Sequence, residues 1–217
     1  MNYNTMNNII TLTVNPAIDK STTVDGIRPN SKLRCNIPIY EPGGGGINVS
    51  RVVQELGGTS LCMYMAGGPT GTHLQKQLTD LNIEQQVIPI SGWVRENLAV
   101  TDTKNNEQYR FGMPGPIVEE SEWKSALSLC PGMPIDFFAQ VSKIVKKNNA
   151  KYILDTSGEA LIKGANEGVY LLKPNLGELA TLCGFEEISY VELESVAKNF
   201  IKNNPCELLV ISMGPKG

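Results

Sequence analysis

Four consecutive glycines, Gly43 to Gly46, stand between Glu41-Pro42 and a stretch of helical periodicity, Ile47–Leu56. Glycine loses more backbone freedom on folding than any other residue, so such a run belongs where the chain passes close to something. Because it opens straight into a helix, it offers free amide N–H groups to a polar or anionic ligand. A plain flexible loop before a helix is the alternative. The pattern is neither G-x-G-x-x-G nor a Walker A loop, and the sequence contains no Gly-Lys pair. Asn15-Pro-Ala-Ile-Asp19 follows the first apolar run, at the carboxyl edge where open α/β sheets take ligands. Asp19 could accept hydrogen bonds from sugar hydroxyls or cap a turn. Lys32, Arg34, Arg95 and Arg110 lie in extended segments; taken singly such charges are solvated, but together they could clamp a phosphate, whose oxygens arginine matches bidentately.

A second group lies further along. Lys173-Pro-Asn-Leu-Gly-Glu178 follows an apolar run and starts a helix, which places Asn175 and Glu178 together on its first turn. Asn at the cap with Glu three residues on is close to a capping box. The same amide and carboxylate oxygens would also suit Mg²⁺ held through water, and Asp155, at the end of its own strand, could join that network. Ser212-Met-Gly214-Pro-Lys-Gly217 reads as a strand followed by a glycine-rich turn. It could lie against a nucleotide or be a simple turn.

Composition narrows the chemistry. The 217 residues carry 19 basic and 22 acidic side chains, a net charge of −3, which argues against general nucleic-acid binding. Charged residues are 19% and hydrophobic residues 41%, enough for a folded core. At about 100–200 residues per domain the chain is one domain, or one with a small appendage. The five cysteines are scattered without a C-x-x-C pair, which suits buried thiols in a reducing cytoplasm. His73 is the single histidine; it is expected in the first turn of a surface helix and is assigned no function. No apolar run reaches the roughly 18 residues of a membrane helix, and residues 1–8 lack the pattern of a signal peptide.

The elements that must position these residues alternate. Ile9–Val14, Leu61–Ala66, Tyr152–Asp155, Val169–Leu172 and Leu208–Ser212 read as apolar, parallel strands. Ile47–Leu56, Thr72–Leu81, Phe137–Lys147, Leu176–Cys183 and Val191–Asn203 read as helices. Segments of about 21–40 and 87–112 break the alternation, and are expected to form a small antiparallel sheet, a lid or a dimer contact, with a turn at Asn105-Asn106. Glu119–Leu129 looks helical, so two helices follow one another where the rhythm calls for a strand between them.

Taken together, these pieces resemble the phosphofructokinase-B branch of the ribokinase-like carbohydrate kinases. The marks are Leu12-Thr-Val-Asn-Pro-Ala-Ile-Asp19, Lys32-Leu-Arg-Cys35, Glu41-Pro-Gly-Gly-Gly-Gly-Ile-Asn48, Arg95-Glu-Asn97, Glu107-Gln-Tyr-Arg-Phe111, Asp155-Thr-Ser-Gly-Glu-Ala-Leu161, Lys173-Pro-Asn-x-x-Glu178 and Ser212-x-Gly-Pro-x-Gly217. The resemblance implies an α/β fold, a ribokinase-like three-layer α/β/α sandwich with a β-sheet lid that also forms a homodimer contact. It implies phosphoryl transfer from ATP, with Mg²⁺, to a sugar phosphate; the composition adds the expectation of a cytoplasmic setting without nucleic-acid or membrane partners. The four-glycine form looks most like the ATP-dependent 6-phosphofructokinases, which makes fructose 6-phosphate the preferred acceptor; tagatose 6-phosphate and fructose 1-phosphate are the alternatives. By the same resemblance Asp19, Gly44, Gly45 and Asn48 would bind the sugar, and Lys32, Arg95 and Arg110 its phosphate. Lys173, Asn175, Ser212 and Gly214 would face ATP, while Glu178, with Asp155, would organise the Mg²⁺ waters.

Two marks of the branch do not occur in the sequence. One is a Gly-Ala-Gly-Asp motif, which supplies the anion hole and the aspartate base. The other is a strand ending in a Gly-Ser-Leu-Pro-Pro-Gly-like segment, of which Ser128-Leu-Cys-Pro-Gly132 is what is found. The expectation is therefore a single, incomplete kinase domain over 1–217 with little turnover, or a sugar-phosphate-binding relative without catalysis. A nicotinamide-dependent oxidoreductase would need a G-x-G-x-x-G turn where Asn15-Pro-Ala-Ile-Asp19 stands.

Overall fold

Hydroxyl side chains seat the first helix on the first strand. The computed structural model describes residues 9–119, 121–122 and 136–213. In β1 (Ile10–Thr13), Thr11 and Thr13 are the buried residues. Thr11 Oγ1 lies 2.8 Å from Ser50 Oγ of α1 (Gly45–Glu55), and Thr13 Oγ1 accepts the Ile47 N–H at 3.1 Å. The latter satisfies one of the donors that every helix start leaves open. Thr13→Val, which keeps the shape and removes the acceptor, is expected to cost about 1 kcal/mol, read from chemical unfolding.

The chain forms two compact units, Met1–Glu122 and Trp123–Gly217. In the first, β1, β4 (Leu61–Ala66) and β5 (Gln85–Pro89) form a parallel sheet in the order β1-β4-β5. The core beside it gathers Ile18, Ile47, Cys62, Tyr64, Leu74, Leu78 and Val94, with Leu74 and Leu78 coming from α2 (Gly68–Asp80). Burial raises the Cys62 thiol above its ordinary pKa, so it is a packing residue and not a nucleophile.

A second sheet in this unit has the order β3-β2-β6-β7, from β2 (Ala17–Val24), β3 (Ile39–Gly43), β6 (Arg95–Asp102) and β7 (Gln108–Phe111). It corrects the expected lid in three respects. The central pair β2 and β6 is parallel, and only the flanking pairs are antiparallel. The sheet begins at Ala17, so Asp19 sits within a strand and not in a turn. Val87–Pro89 belongs to the other sheet, through β5. The β6–β7 connection does turn at Asn106, with φ 60°.

Asp102 closes that connection. Its carboxylate accepts the backbone N–H groups of Ile27 at 2.8 Å, Lys104 at 2.9 Å and Gly26 at 3.1 Å. These bonds, that from Ile27 foremost, hold its pKa below the ordinary carboxylate value. A depressed folded-state pKa stabilises at neutral pH, and that contribution is lost as pH falls through the folded value. Asp102→Asn is therefore expected to lower the unfolding midpoint at pH 7. Its difference from wild type should shrink below about pH 4, where the unfolded carboxyl protonates, and vanish at lower pH.

The second unit is built on a parallel sheet of order β10-β9-β8, from β8 (Ile153–Leu154), β9 (Val169–Leu172) and β10 (Cys206–Leu209). Its helices are α3 (Phe137–Lys147), α4 (Gly158–Asn166), α5 (Leu176–Cys183) and α6 (Leu193–Asn203). Leu154, Leu161, Leu172, Leu179 and Phe200 anchor the core. The α4 helix was not among the expected elements, and β10 begins two residues earlier than expected. His73 lies in the second turn of α2, because that helix starts at Gly68-Pro69. The expected helix over Glu119–Leu129, apart from residues 119, 121 and 122, and the segment Ser128–Gly132 lie outside the described residues.

Candidate active site

The first unit brings Asp19, Asn97 and Arg95 together. In register across the sheet, Asp19 of β2 faces Glu41 of β3 on one side and Asn97 of β6 on the other. Asn97 Nδ2 donates to Asp19 Oδ1 at 2.8 Å. Its Oδ1 accepts from Arg95 Nη1 and from the backbone N–H of Met113, both at 3.2 Å. Arg95 also donates to the Met113 carbonyl at 3.2 Å, while its Nε is buried without a partner among the described residues. Glu41 is held from α1 by Arg51, whose Nη2 lies 3.0 Å from Glu41 Oε1.

The glycine run packs against these residues. A Cβ at Gly43 would stand 2.2 Å from Asp19 Oδ2, and one at Gly46 would stand 2.7 Å from Thr13 Oγ1. Gly44 has φ 128°, a conformation that favours glycine. The close approach anticipated for the run is thus to the protein's own Asp19 and Thr13. Gly45 is exposed at the start of α1, and Asn48 is exposed on its first turn.

A cavity of about 470 Å³ opens on the same sheet, lined among others by Asp19, Glu41, Asn97, Gln108 and Arg110. Arg110 is exposed, and its Nε donates to Gln108 Oε1 at 2.6 Å. Acceptors at Asp19 and Glu41 with a guanidinium at Arg110 suit a polyhydroxylated, anionic ligand. Lys32 is exposed in the connection between β2 and β3 and is not among the cavity residues. Asn97 and Glu41 were not singled out from the sequence as site residues. The spacing of Arg95 and Asn97, two apart on one strand and hence on one face, was the available signal.

The second unit assembles its residues at the carboxyl ends of β8, β9 and β10. Lys173 Nζ lies 3.3 Å from Asp155 Oδ2, both side chains being partly exposed. Ser212 makes a parallel bridge with Asn175, and its N–H donates to the Pro174 carbonyl at 3.0 Å. The capping box at α5 is complete: Glu178 N–H donates to Asn175 Oδ1 and Asn175 N–H to Glu178 Oε2, each at 2.9 Å. Asn175→Ala is expected to cost about 1 kcal/mol, read from thermal unfolding. Gly214 lies outside the described residues. A cavity of about 490 Å³ between α5 and α6 touches none of these residues.

For Mg²⁺, no group of three or more His, Cys, Asp or Glu placed to hold an ion occurs among the described residues. The carboxylates present, Asp155 and Glu178, suit a water-mediated hold shared with phosphate oxygens, which is how Mg²⁺ is commonly bound. No helix among the described residues is long and apolar enough to cross a membrane.

Comparison with known proteins places the chain in a family. The model of the pfkB family carbohydrate kinases matches residues 5–217. The ATP-dependent 6-phosphofructokinase isozyme 2 of Mycobacterium tuberculosis is 39% identical over 226 residues, covering 96% of this chain and 66% of that protein. The chain thus spans about two thirds of that relative's length. The phosphofructokinase-2 of Escherichia coli, solved in complex with fructose-6-phosphate, superposes with a TM-score of 0.88 at 35% identity, over 98% of this chain and 76% of that one. The Arabidopsis thaliana ribokinase, at 16% identity and a TM-score of 0.69 over 98% of this chain and 74% of that one, shares the fold alone. With a ribokinase-like α/β fold and a family match running through both units, the chain belongs to the pfkB family of carbohydrate kinases.

Proposed function

We propose that the chain binds a sugar phosphate in the first unit and ATP in the second, as part of a kinase that phosphorylates fructose 6-phosphate to fructose 1,6-bisphosphate. The observation that carries the acceptor side is the row Glu41–Asp19–Asn97, with Arg95 bonded to Asn97 and Arg110 in the same cavity. Fixed carboxylate acceptors suit ring hydroxyls, and guanidinium groups suit the phosphate. Gly44, Gly45 and Asn48 would add amide and carboxamide groups to the sugar, and Lys32 a charge to its phosphate. On the donor side, Lys173, Asn175, Ser212 and Gly214 would contact the nucleotide, with Asp155 and Glu178 holding Mg²⁺ through water. Phosphoryl transfer depends mainly on positioning and charge neutralisation, which such a set supplies. The chain is read as one kinase domain with an inserted lid, in a cytoplasmic setting. Exposed Ile39 and Phe111 on the four-stranded sheet support a homodimer contact there.

The test separates binding from turnover. Calorimetric titration with fructose 6-phosphate, tagatose 6-phosphate and fructose 1-phosphate is expected to show tightest binding of the first. ADP release from Mg-ATP by the 217-residue chain is expected to be slight with or without the sugar. A general base typically contributes about 10²–10⁴ in rate and an anion hole about 10²–10³, and the Gly-Ala-Gly-Asp segment implied for both does not occur in the sequence. Failure to bind any of the three sugars would sink the proposal. Substantial release dependent on fructose 6-phosphate would show that another carboxylate takes the hydroxyl proton, and Asp155→Asn would be the next variant to assay.

A further inference from the structure

Resting on the sugar-phosphate reading of this site, we infer that Asn97 is a positioning residue, which fixes the Asp19 carboxylate and the Arg95 guanidinium as one rigid pair. Three bonds fix its orientation. The Met113 N–H can only donate, so the atom it meets at 3.2 Å is the Asn97 oxygen, which also takes Arg95 Nη1. The atom facing Asp19 Oδ1 at 2.8 Å is then the amide nitrogen. A neutral side chain with both a donor and an acceptor meets both demands. Asp19 keeps its other oxygen against the backbone of Gly43, and Arg95 keeps a buried Nε without a partner among the described residues. Asn97 thereby sets the spacing between an acceptor for hydroxyls and a donor for the phosphate. It ties β2, β6 and the segment after β7 into one frame.

The experiment is fructose 6-phosphate binding by the full chain, measured at pH 8 and pH 5.5 for wild type, Asn97→Asp and Asn97→Ala. In Asn97→Asp the acceptor toward Arg95 and Met113 survives, but two carboxylates face one another across the former hydrogen bond. Such a pair shares a proton on acidification, which restores the donor toward Asp19. The other charged groups around it are Glu41 of β3, Arg51 of α1, Lys20 of β2, Arg95 of β6 and Arg110 of β7. All are present in wild type, so the variant-to-wild-type affinity ratio cancels their titration and that of the sugar's phosphate.

The expected result is a loss of about 10- to 100-fold at pH 8 for both variants, the worth of a hydrogen bond to a charged group. Acidification should recover most of it for Asn97→Asp and none for Asn97→Ala. Equal losses at both pH values for Asn97→Asp, or no loss in either variant, would overturn the inference alone. Absence of binding by wild type would overturn the proposed function and this inference with it. If Asn97→Asp does not fold at pH 8, Asn97→Ala decides. Unchanged affinity for fructose 6-phosphate, or a loss matched by a lowered unfolding midpoint, overturns the inference; a loss of about 10- to 100-fold at both pH values with the unfolding midpoint unchanged supports it.

Discussion

Gly43→Ala is expected to weaken fructose 6-phosphate binding by about 100-fold or more while leaving the chain folded. The added methyl would stand 2.2 Å from Asp19 Oδ2 and 2.6 Å from its Cγ, far inside contact distance. Asp19 is a short side chain, and its other oxygen is pinned by Asn97 at 2.8 Å, so it cannot turn aside without breaking that bond. Backing away would instead move β2 against β3, which are paired at Asp19↔Glu41 and Ala17↔Gly43. The carboxylate is therefore displaced, and with it the acceptor proposed for the sugar. Two hydrogen bonds to a charged group, at about 1.5–3 kcal/mol each, place the loss at two orders of magnitude or beyond. Stability should fall by only about 1–3 kcal/mol, the usual cost of overpacking. Calorimetry with fructose 6-phosphate beside thermal unfolding separates the two effects. An affinity within threefold of wild type would show that Asp19 does not face the ligand.

Much of this arrangement was legible in the sequence, and the failures have physical causes. Leu61–Ala66 and Val169–Leu172 were located to the residue because parallel strands covered by helices are apolar throughout. Leu176–Cys183 was bounded by its cap, since Asn175 and Glu178 satisfy each other's backbone donors. Strand direction is a different matter, because alternation with period 2 is the same in parallel and antiparallel ladders. The parallel pairing of β2 with β6 was therefore invisible, and a local hairpin reading prevailed. Gln85–Pro89 escaped because Gln85, Gln86 and Pro89 dilute its apolar content, although Ile88 is buried. Gly158–Asn166 is only nine residues long, with glycines at 158 and 164 that weaken a helical pattern.

The candidate site was legible in its charged residues and glycines as candidates, but not in the connections among them. Asp19, Arg95 and Arg110 announce themselves by type. Asn97 is neutral, and its importance arises only when register sets it opposite Asp19 across two strands 78 residues apart. The four-glycine run illustrates the same limit. Its need for close approach was readable, but what approaches it, the Asp19 carboxylate at Gly43 and the Thr13 hydroxyl at Gly46, is a property of the fold.

Gly67→Ala is expected to destabilise the first unit by about 3 kcal/mol or more, the upper range for forcing a methyl into a packed site. The backbone of Gly67 is extended, with φ −150° and ψ 169°, so alanine is not excluded by its dihedrals. The obstacle is space, because a Cβ there would lie 1.9 Å from the Ile90 carbonyl oxygen and 2.6 Å from that of Gly92. Both are backbone atoms and cannot rotate away. The segment is also zipped to its neighbours: Ile90 N–H donates to the Ala66 carbonyl, and Val94 N–H and Gly71 N–H to the Gly67 carbonyl, each at 3.2 Å. Making room would break the bond that leads into β6 and draw Val94, only 3% exposed, out of the core. Arg95 follows Val94 directly, so the damage reaches the site through the strand that carries Arg95 and Asn97. Chemical unfolding should show a lowered midpoint, and fructose 6-phosphate affinity measured well below that midpoint should fall as well. A loss of less than about 1 kcal/mol would show that the Gly67 to Gly92 approach is loose and that β6 takes its position from pairing with β2 alone.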